Sequence, residues 1–328
     1  MSASDLNHIL VVVDPQTDPT DQALCQGVAL ARESGARLSA VSVVNPRDDL
    51  ARLARHIGLS PQTASERLKA DTQAELERRI CERGHDVPVS ATVRIGRPFF
   101  EIIHAVLDLT VDMVIKGAER LPGTPSDPLR RLSSTDLHLL RKCPCLLWLL
   151  AGAPAPGQSV VAAVDLSIDS GAQASREEAA LNERIVDTAA HMARFLGVGV
   201  QLLHVWDAPG ENLVRRWSGG EAGVITYLSE VEAQHAQALA RFLDATRARW
   251  ALNLESTPAI TSHLLRGDPR AAIPDQAAAV SAVALVMGTV ARTGVPGLII
   301  GNTAEDILNR APCSVITVKP PGFVSPVT

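Results

Sequence analysis

The chain has few of the residues that several functional classes require. Aromatic residues make up only 3% of its 328 residues, and the formal net charge is −5. We therefore expect neither a base-stacking surface nor a basic face for nucleic acid or an anionic membrane. Its five cysteines are too few and too scattered for a disulfide framework. The close pair, Cys143 and Cys145, is predicted to be two buried thiols beside a strand.

Long apolar runs and catalytic motifs are also missing. The longest apolar run, 145–151, is far shorter than the roughly 20 residues that a membrane-spanning helix needs. The first ten residues have no basic start with a long apolar stretch, so we expect a cytoplasmic protein. The sequence contains no P-loop, His-Glu-x2-His or Gly-x-Ser-x-Gly motif. Its nine histidines lack metal-ligand spacing, and we expect His204 to be a core residue.

What the sequence does contain is an internal repeat. In each half an apolar run ends in aspartate, at Asp14 and at Asp165. A later apolar run ends in glycine, at Gly117 and at Gly288, and each of these glycines lies 21 residues after a Gly-x-Pro element. Matching spacings of this kind predict two copies of one structural unit.

Each copy is predicted to be an α/β domain. Short and nearly continuous apolar runs alternate with helical segments, which is typical of a parallel sheet with right-handed helical crossovers. We predict a first domain at 1–150, a Pro- and Gly-rich linker at 151–158, a second domain at 159–320 and a tail at 321–328. The predicted strands are 9–13, 38–44, 89–94, 111–116 and 145–150, then 160–164, 198–206, 259–265, 283–287 and 314–318.

The segment after Gly288 is the first candidate for ligand binding. Its glycines allow close backbone approach, and a helix predicted to begin near Thr303 would offer free N–H groups to a phosphate. The same helix start, Thr303 to Asp306, also fits a capping box, which is a purely structural use.

This segment resembles the nucleotide-binding motif of the universal stress protein family, Gly-x2-Gly-x9-Gly-(Ser/Thr) after the fourth strand. Gly288 and Gly301 match the first and third glycines, while Ala291 stands at the second. Asn302 takes the Ser/Thr position and Thr303 follows it. The strings Gly-Thr-Val-Ala-Arg-Thr-Gly and Gly-Asn-Thr-Ala-Glu are most similar to the second domain of the tandem E-type members.

The resemblance implies a fold and a ligand. The fold is two tandem Rossmann-like domains of the adenine nucleotide alpha hydrolase-like type, each a five-stranded parallel sheet flanked by helices, paired about a pseudo-twofold axis. The ligand is ATP or another adenine nucleotide, with Mg²⁺ only alongside it. Arg292 would pair with phosphate oxygens, and the methyl group of Ala291 would crowd them. The implied site residues are Asp165, Val205, Gly288, Ala291, Arg292, Gly301, Asn302 and Thr303.

The first domain is predicted not to bind nucleotide. The segment after Gly117 contains three prolines and places Arg120 at the second glycine position. Counting back from the fifth strand, the final glycine and hydroxyl positions fall on Ser133 and Ser134. Asp14 is the first-domain equivalent of Asp165.

A segment specific to the second half, 207–220, follows its second strand. Glycines flank Arg215, Arg216 and Trp217 there, so these three residues are candidates for a lid over the ligand. An ordinary long surface loop or a dimer contact explains the same residues.

Three functions remain open at this point. The first is stress adaptation through nucleotide binding in the second domain. The second is a non-enzymatic scaffold, or a binder of a more apolar or sugar-linked metabolite. The third is slow ATP hydrolysis, although no catalytic constellation is evident. The expected partner is a small molecule, and the two domains would pair within one chain, with a homodimer as a further possibility.

Overall fold

A computed structural model describes residues 6–14, 21–45, 54, 56–83, 86–119, 132–151, 158–166, 168, 174–217, 221–253, 257–289 and 301–327. The strands in these ranges are β1 (His8–Val12), β2 (Arg37–Val44), β3 (Val89–Ile95), β4 (Met113–Gly117), β5 (Leu146–Leu150), β6 (Ser159–Val164), β7 (Gly199–Trp206), β8 (Ile260–Arg266), β9 (Ala282–Gly288) and β10 (Ser314–Val318). Their positions match the ten predicted strands to within about two residues.

Helices alternate with these strands. They are α1 (Gln22–Ser34), α2 (Pro61–Arg83), α3 (Pro98–Leu109), α4 (Ser134–Lys142), α5 (Ala174–Leu196), α6 (Glu211–Trp217), α7 (Glu221–Asn253), α8 (Pro269–Ala279) and α9 (Asn302–Arg310). Helix α2 starts where the sequence predicts, because Ser60 Oγ accepts the N–H of Thr63 at 3.0 Å and Pro61 supplies the first helical residue. Among the described helices, none is long and apolar enough to cross a membrane.

The two halves have the same topology. The strand order is β3-β2-β1-β4-β5 in the first half and β8-β7-β6-β9-β10 in the second, and all neighbours within a half are parallel. In both halves the order reverses beside the first strand, between β1 and β4 and between β6 and β9. Ligands of open α/β sheets bind at such a reversal, outside the carboxyl ends of the strands.

The halves join edge to edge into one ten-stranded sheet. Strand β10 pairs antiparallel with β5, with Ile316 opposite Trp148. The two large apolar clusters, one on each face of the sheet, contain residues from both halves. Because β5 and β10 are antiparallel, the carboxyl ends of the strands in one half lie at the same edge of the sheet as the amino ends of the strands in the other.

The segment 207–220 differs from its prediction as a long loop. Residues 211–217 form helix α6 and α7 begins at Glu221. Arg215 forms an ion pair with Glu211 at 2.9 Å, and this spacing of four residues favours a helix. Arg215 also forms an ion pair with Glu221, the first residue of α7, at 2.7 Å.

Candidate functional site

The site predicted for the second half lies at the carboxyl ends of β6 and β9. Asp165 follows β6 directly and is exposed, and Gly288 ends β9. Val205, near the end of β7, is half-buried and packs on the same apolar cluster as Met287 and Ala304. Of the eight predicted residues, Ala291 and Arg292 lie outside the described residues.

The backbone at Asp165 is held by a buried asparagine of α5. Asn182 Oδ1 accepts the N–H of Asp165 at 3.1 Å, and Asn182 Nδ2 donates to the Asp165 carbonyl at 2.7 Å. Asn182 is 5% exposed. Asparagine is a poor helix former, so its place inside a helix could have marked a tertiary contact in the sequence.

Gly288 has a packing role at the end of β9. A Cβ atom on this residue would lie 3.0 Å from Leu181 Cδ2 and 3.6 Å from Ile185 Cδ1, both on α5. The glycine thus lets α5 pack closely against the last residue of the strand. A side chain at this position would therefore point toward α5.

The N-terminus of α9 has no side-chain cap within the described part of the chain. Its N-cap residue is Gly301, in an extended conformation, and no described side chain accepts a hydrogen bond from the first turn. Asn302 and Thr303 are the first and second helical residues, so the capping box predicted with Thr303 as N-cap is wrong. The free N–H groups of a helix start favour an anion.

In the first half a serine caps the same helix start, and a buried carboxylate lies beside it. Ser133 Oγ caps α4 by accepting the N–H of Asp136 at 3.2 Å, and Ser134 is the first helical residue. The Asp136 carboxylate accepts the N–H of Glu119 at 2.7 Å and forms an ion pair with Lys116 at 2.9 Å.

The Lys116–Asp136 pair lies entirely inside the protein. Asp136 is 0% exposed and Lys116 is 4% exposed. Burial raises the pKa of the Asp136 carboxyl, while the nearby Lys116 charge opposes that rise. Lys116 Nζ also donates to the carbonyl of Gly117 at 2.9 Å, so the lysine also satisfies a backbone acceptor at the end of β4.

The second half replaces both members of this pair with apolar residues. Lys116 pairs in register with Val12, and its counterpart Met287 pairs with Ala163. The third residue of α4 is Asp136, and the third residue of α9 is Ala304. Because the two residues change together, the second half has no internal carboxylate at the start of its helix.

The outer strands of the second half carry a separate aromatic cluster. His204 is 1% exposed, and its Nε2 lies 2.9 Å from Nδ1 of His235 on α7, which confirms His204 as a core residue. Trp206 stacks on His235 at 5.6 Å, and the guanidinium of Arg266 lies 5.7 Å from the Trp206 ring.

Helix α6 is attached to this edge of the sheet. Glu211 accepts a hydrogen bond from Arg266 at 2.5 Å. The candidate lid residues thus lie on a helix held at the carboxyl end of β8. Arg216 is exposed and Trp217 is 76% exposed.

A buried lysine connects the two halves beside the junction. Lys319 follows β10, is 3% exposed and donates to the carbonyl of Leu140 at 2.5 Å and to Thr289 Oγ1 at 2.6 Å. It also donates to the carbonyl of Arg141 at 3.3 Å. Its charge therefore lies at the C-terminus of α4, where the helix dipole favours a cation.

Comparisons with known proteins agree with this architecture. The model of the Universal stress protein family matches residues 6–150 and 159–319. Universal stress protein E of Salmonella typhi is 29% identical over 340 residues, covering 98% of this chain and 96% of that protein. Universal stress protein E of Escherichia coli K12 is 31% identical over 239 residues, covering 71% of this chain and 68% of that protein.

A solved structure is also similar to this chain over nearly its full length. A candidate universal stress protein from Pseudomonas aeruginosa UCBPP-PA14 has a TM-score of 0.64 and 25% identity, covering 97% of this chain and 95% of that one. Two copies of one topology, joined by an antiparallel edge and matched in both copies by one family model, identify this chain as a tandem member of the universal stress protein family.

Proposed function

We propose that this chain acts in stress adaptation by binding ATP or a related adenine nucleotide at the carboxyl edge of its second domain. The observation that carries the proposal is the difference between the two helix starts. Ser133 Oγ caps the first one, beside the buried Asp136 carboxylate, whereas Gly301 leaves the N–H groups of the second uncapped by any described side chain. A phosphate at that place would accept those N–H groups and gain from the helix dipole.

The family motif supplies independent support. Gly288 and Gly301 stand at its first and third glycines, and both lie at this edge of the sheet. Asn302 would contribute its side-chain amide in place of a hydroxyl. On this proposal the domain at 1–150 does not bind nucleotide, and the domain at 159–320 does.

The ligand is tested directly by purifying the protein without added nucleotide and identifying any small molecule released on denaturation by mass spectrometry. Stoichiometric ATP, ADP or AMP would support the proposal. An apolar or sugar-linked metabolite would support the alternative that the apolar Met287 and Ala304 favour. If no small molecule is released, titration of the purified protein with labelled ATP tests whether it binds the nucleotide. We expect saturable binding.

A substitution that copies the first domain tests the location. The double variant Met287→Lys, Ala304→Asp should place an internal ion pair at the start of α9 and abolish ATP binding, because its carboxylate would occupy the phosphate position. The matched control Ala304→Asn adds the same volume without charge and should retain more of the affinity. Full ATP affinity in the folded double variant would place the site elsewhere.

A second substitution concerns the predicted phosphate contact. Arg292→Ala should weaken ATP binding on the order of tenfold or more, the loss expected for a charged hydrogen bond. An unchanged dissociation constant would remove Arg292 from the site. Phosphate release by the wild type with Mg²⁺, lost in the same variant, would indicate slow hydrolysis at that site.

A further inference from the structure

A cavity of about 240 Å³ lies at the amino edge of the first-half strands. That is room for one small organic molecule, since water in the liquid occupies about 30 Å³ per molecule. The cavity is reached past Leu107 and Thr110, which are both exposed. It lies at the opposite edge of that half from Gly117, and the proposed nucleotide site does not include it.

The walls of the cavity are mainly apolar. Leu6, Val106, Val111, Leu146 and Pro144 contribute carbon surface. The thiol of Cys145 also lines the cavity, and burial raises its pKa, so the thiol is neutral. A ligand that fits this space has an aliphatic body.

Two charged groups stand in this apolar wall. One is Arg184, which reaches across from α5 in the second half and donates to the carbonyl of Lys319 at 2.7 Å. Its Nε is buried and has no partner among the described residues, and it forms no ion pair with a described carboxylate. Arg184 is half-buried, and a partly desolvated guanidinium with no described carboxylate partner favours an anion beside it.

The second charged group is Asp112, at the start of β4. Its Oδ2 accepts the N–H of Asn7 at 2.7 Å and of His8 at 3.0 Å. Its Oδ1 accepts no hydrogen bond from a described residue. Asp112 is 9% exposed and lines the cavity, so a ligand there meets an acidic group as well as Arg184.

Neither charge is part of the repeated fold. Counted from the left-handed glycines that follow the two helices, Gly35 and Gly197, the counterpart of Arg184 is Gln22. Counted from Gly117 and Gly288, the counterpart of Asp112 is Val283. Each charge thus occurs in one copy alone, Arg184 in the second half and Asp112 in the first, which is expected of a specific site rather than of the framework.

We propose that this cavity binds a free α-amino acid with an aliphatic side chain. The guanidinium of Arg184 would receive the carboxylate, Asp112 Oδ1 would accept the ammonium, and the apolar wall would cover the side chain. A zwitterion satisfies both charged groups at once, whereas a simple acid or a simple amine leaves one of them unpaired.

The test uses three probes on the full-length protein by calorimetric titration. They are L-leucine, 4-methylpentanoate, which lacks the amine, and 3-methylbutylamine, which lacks the carboxylate. We expect leucine to bind at least tenfold more tightly than either truncated compound. Absence of leucine binding at millimolar concentration, or equal binding of a truncated compound, would overturn the proposal.

Substitutions then locate the site. Arg184→Gln should weaken leucine binding at least tenfold, while Arg176→Gln, at an exposed position of the same helix, should leave it unchanged. Leu107→Trp, at the mouth, should block binding without altering either charge. Thermal unfolding of each variant verifies that it folds, and leucine binding unaffected by both Arg184→Gln and Leu107→Trp would exclude this cavity.

Discussion

At the scale of single residues, Lys116 and Asp136 differ most clearly between the two copies. A buried ion pair gains attraction but loses hydration of both charges, so replacing the whole pair by apolar groups often costs little. Removing one partner is different, because it leaves the other charge buried alone. On the proposed function, this pair distinguishes the first copy, which would bind no nucleotide, from the second.

Removing one or both charges should therefore change the stability of the first copy differently. Asp136→Ala alone should lower the free energy of unfolding by about 3–5 kcal/mol. The double variant Lys116→Met, Asp136→Ala, which copies the second half, should recover much of that loss. Urea unfolding in a double-mutant cycle measures the coupling, and additive losses would mean that the two charges are independently solvated.

Lys319 gives a pH-dependent prediction. Burial lowers the pKa of its ammonium to about 8, despite opposing effects of Cys143 and Cys145, whereas an unfolded lysine titrates near 10.4. Between these values the unfolded chain binds more protons, so this residue's contribution to stability rises with pH. The contribution is present above about pH 10.4 and is lost as the pH falls through about 8.

The measurement compares the wild type with Lys319→Met. The stability of the wild type relative to this variant should increase by up to about 3 kcal/mol between pH 8 and 10.5. Urea unfolding at several pH values in that window gives the free energy of unfolding of each protein. In the difference between the two, the contributions of titratable groups that they share cancel. A difference that is flat with pH would show that Lys319 keeps an ordinary pKa in the folded protein.

At the scale of elements, the packing of α1 on β1 depends on Gly27. Alanine normally stabilises a helix interior by about 1 kcal/mol relative to glycine. Here, however, a Cβ atom would lie 2.3 Å from Val11 Cγ2, inside the fully buried core. Overpacking costs about 1–3 kcal/mol, so the steric effect should exceed the helix propensity.

The prediction is therefore that Gly27→Ala destabilises the protein. Adding Val11→Ala to that variant should remove the clash, so the pair should cost less than the sum of the two single changes. Chemical denaturation of the four proteins measures this coupling. Stabilisation by Gly27→Ala alone would mean that α1 can move away from the sheet.

The elements also show how far sequence reasoning extends. The inner strands could be predicted because strands covered on both faces, such as β1 and β9, are short apolar runs. Helix α6 was missed because the segment's Gly and Pro residues are typical of loops, although Glu211 and Arg215 stand at helical spacing. The buried pair of Lys116 with Asp136 was also missed, since 20 residues separate them and local patterns cannot place them together.

At the scale of the whole molecule, the edge pairing of β5 with β10 makes the two copies one structure. Ile316 is 0% exposed, lies opposite Trp148 and belongs to an apolar cluster with members in both halves. The ion pair of Arg141 with Glu305 and the contacts of Lys319 also cross this junction. With a continuous core on both faces of the sheet, neither half has a closed core of its own.

We therefore expect the halves to unfold together. Ile316→Ala should cost about 2–5 kcal/mol through the cavity that it leaves, and both halves should lose that stability. Hydrogen exchange followed by mass spectrometry measures the protection of the amides of β1 and β6 in one experiment. The slowest amides of both strands should show the same fall in opening free energy. A loss of protection confined to β9 and β10 would mean that each half is an independent folding unit, and that the junction connects them without coupling their stability.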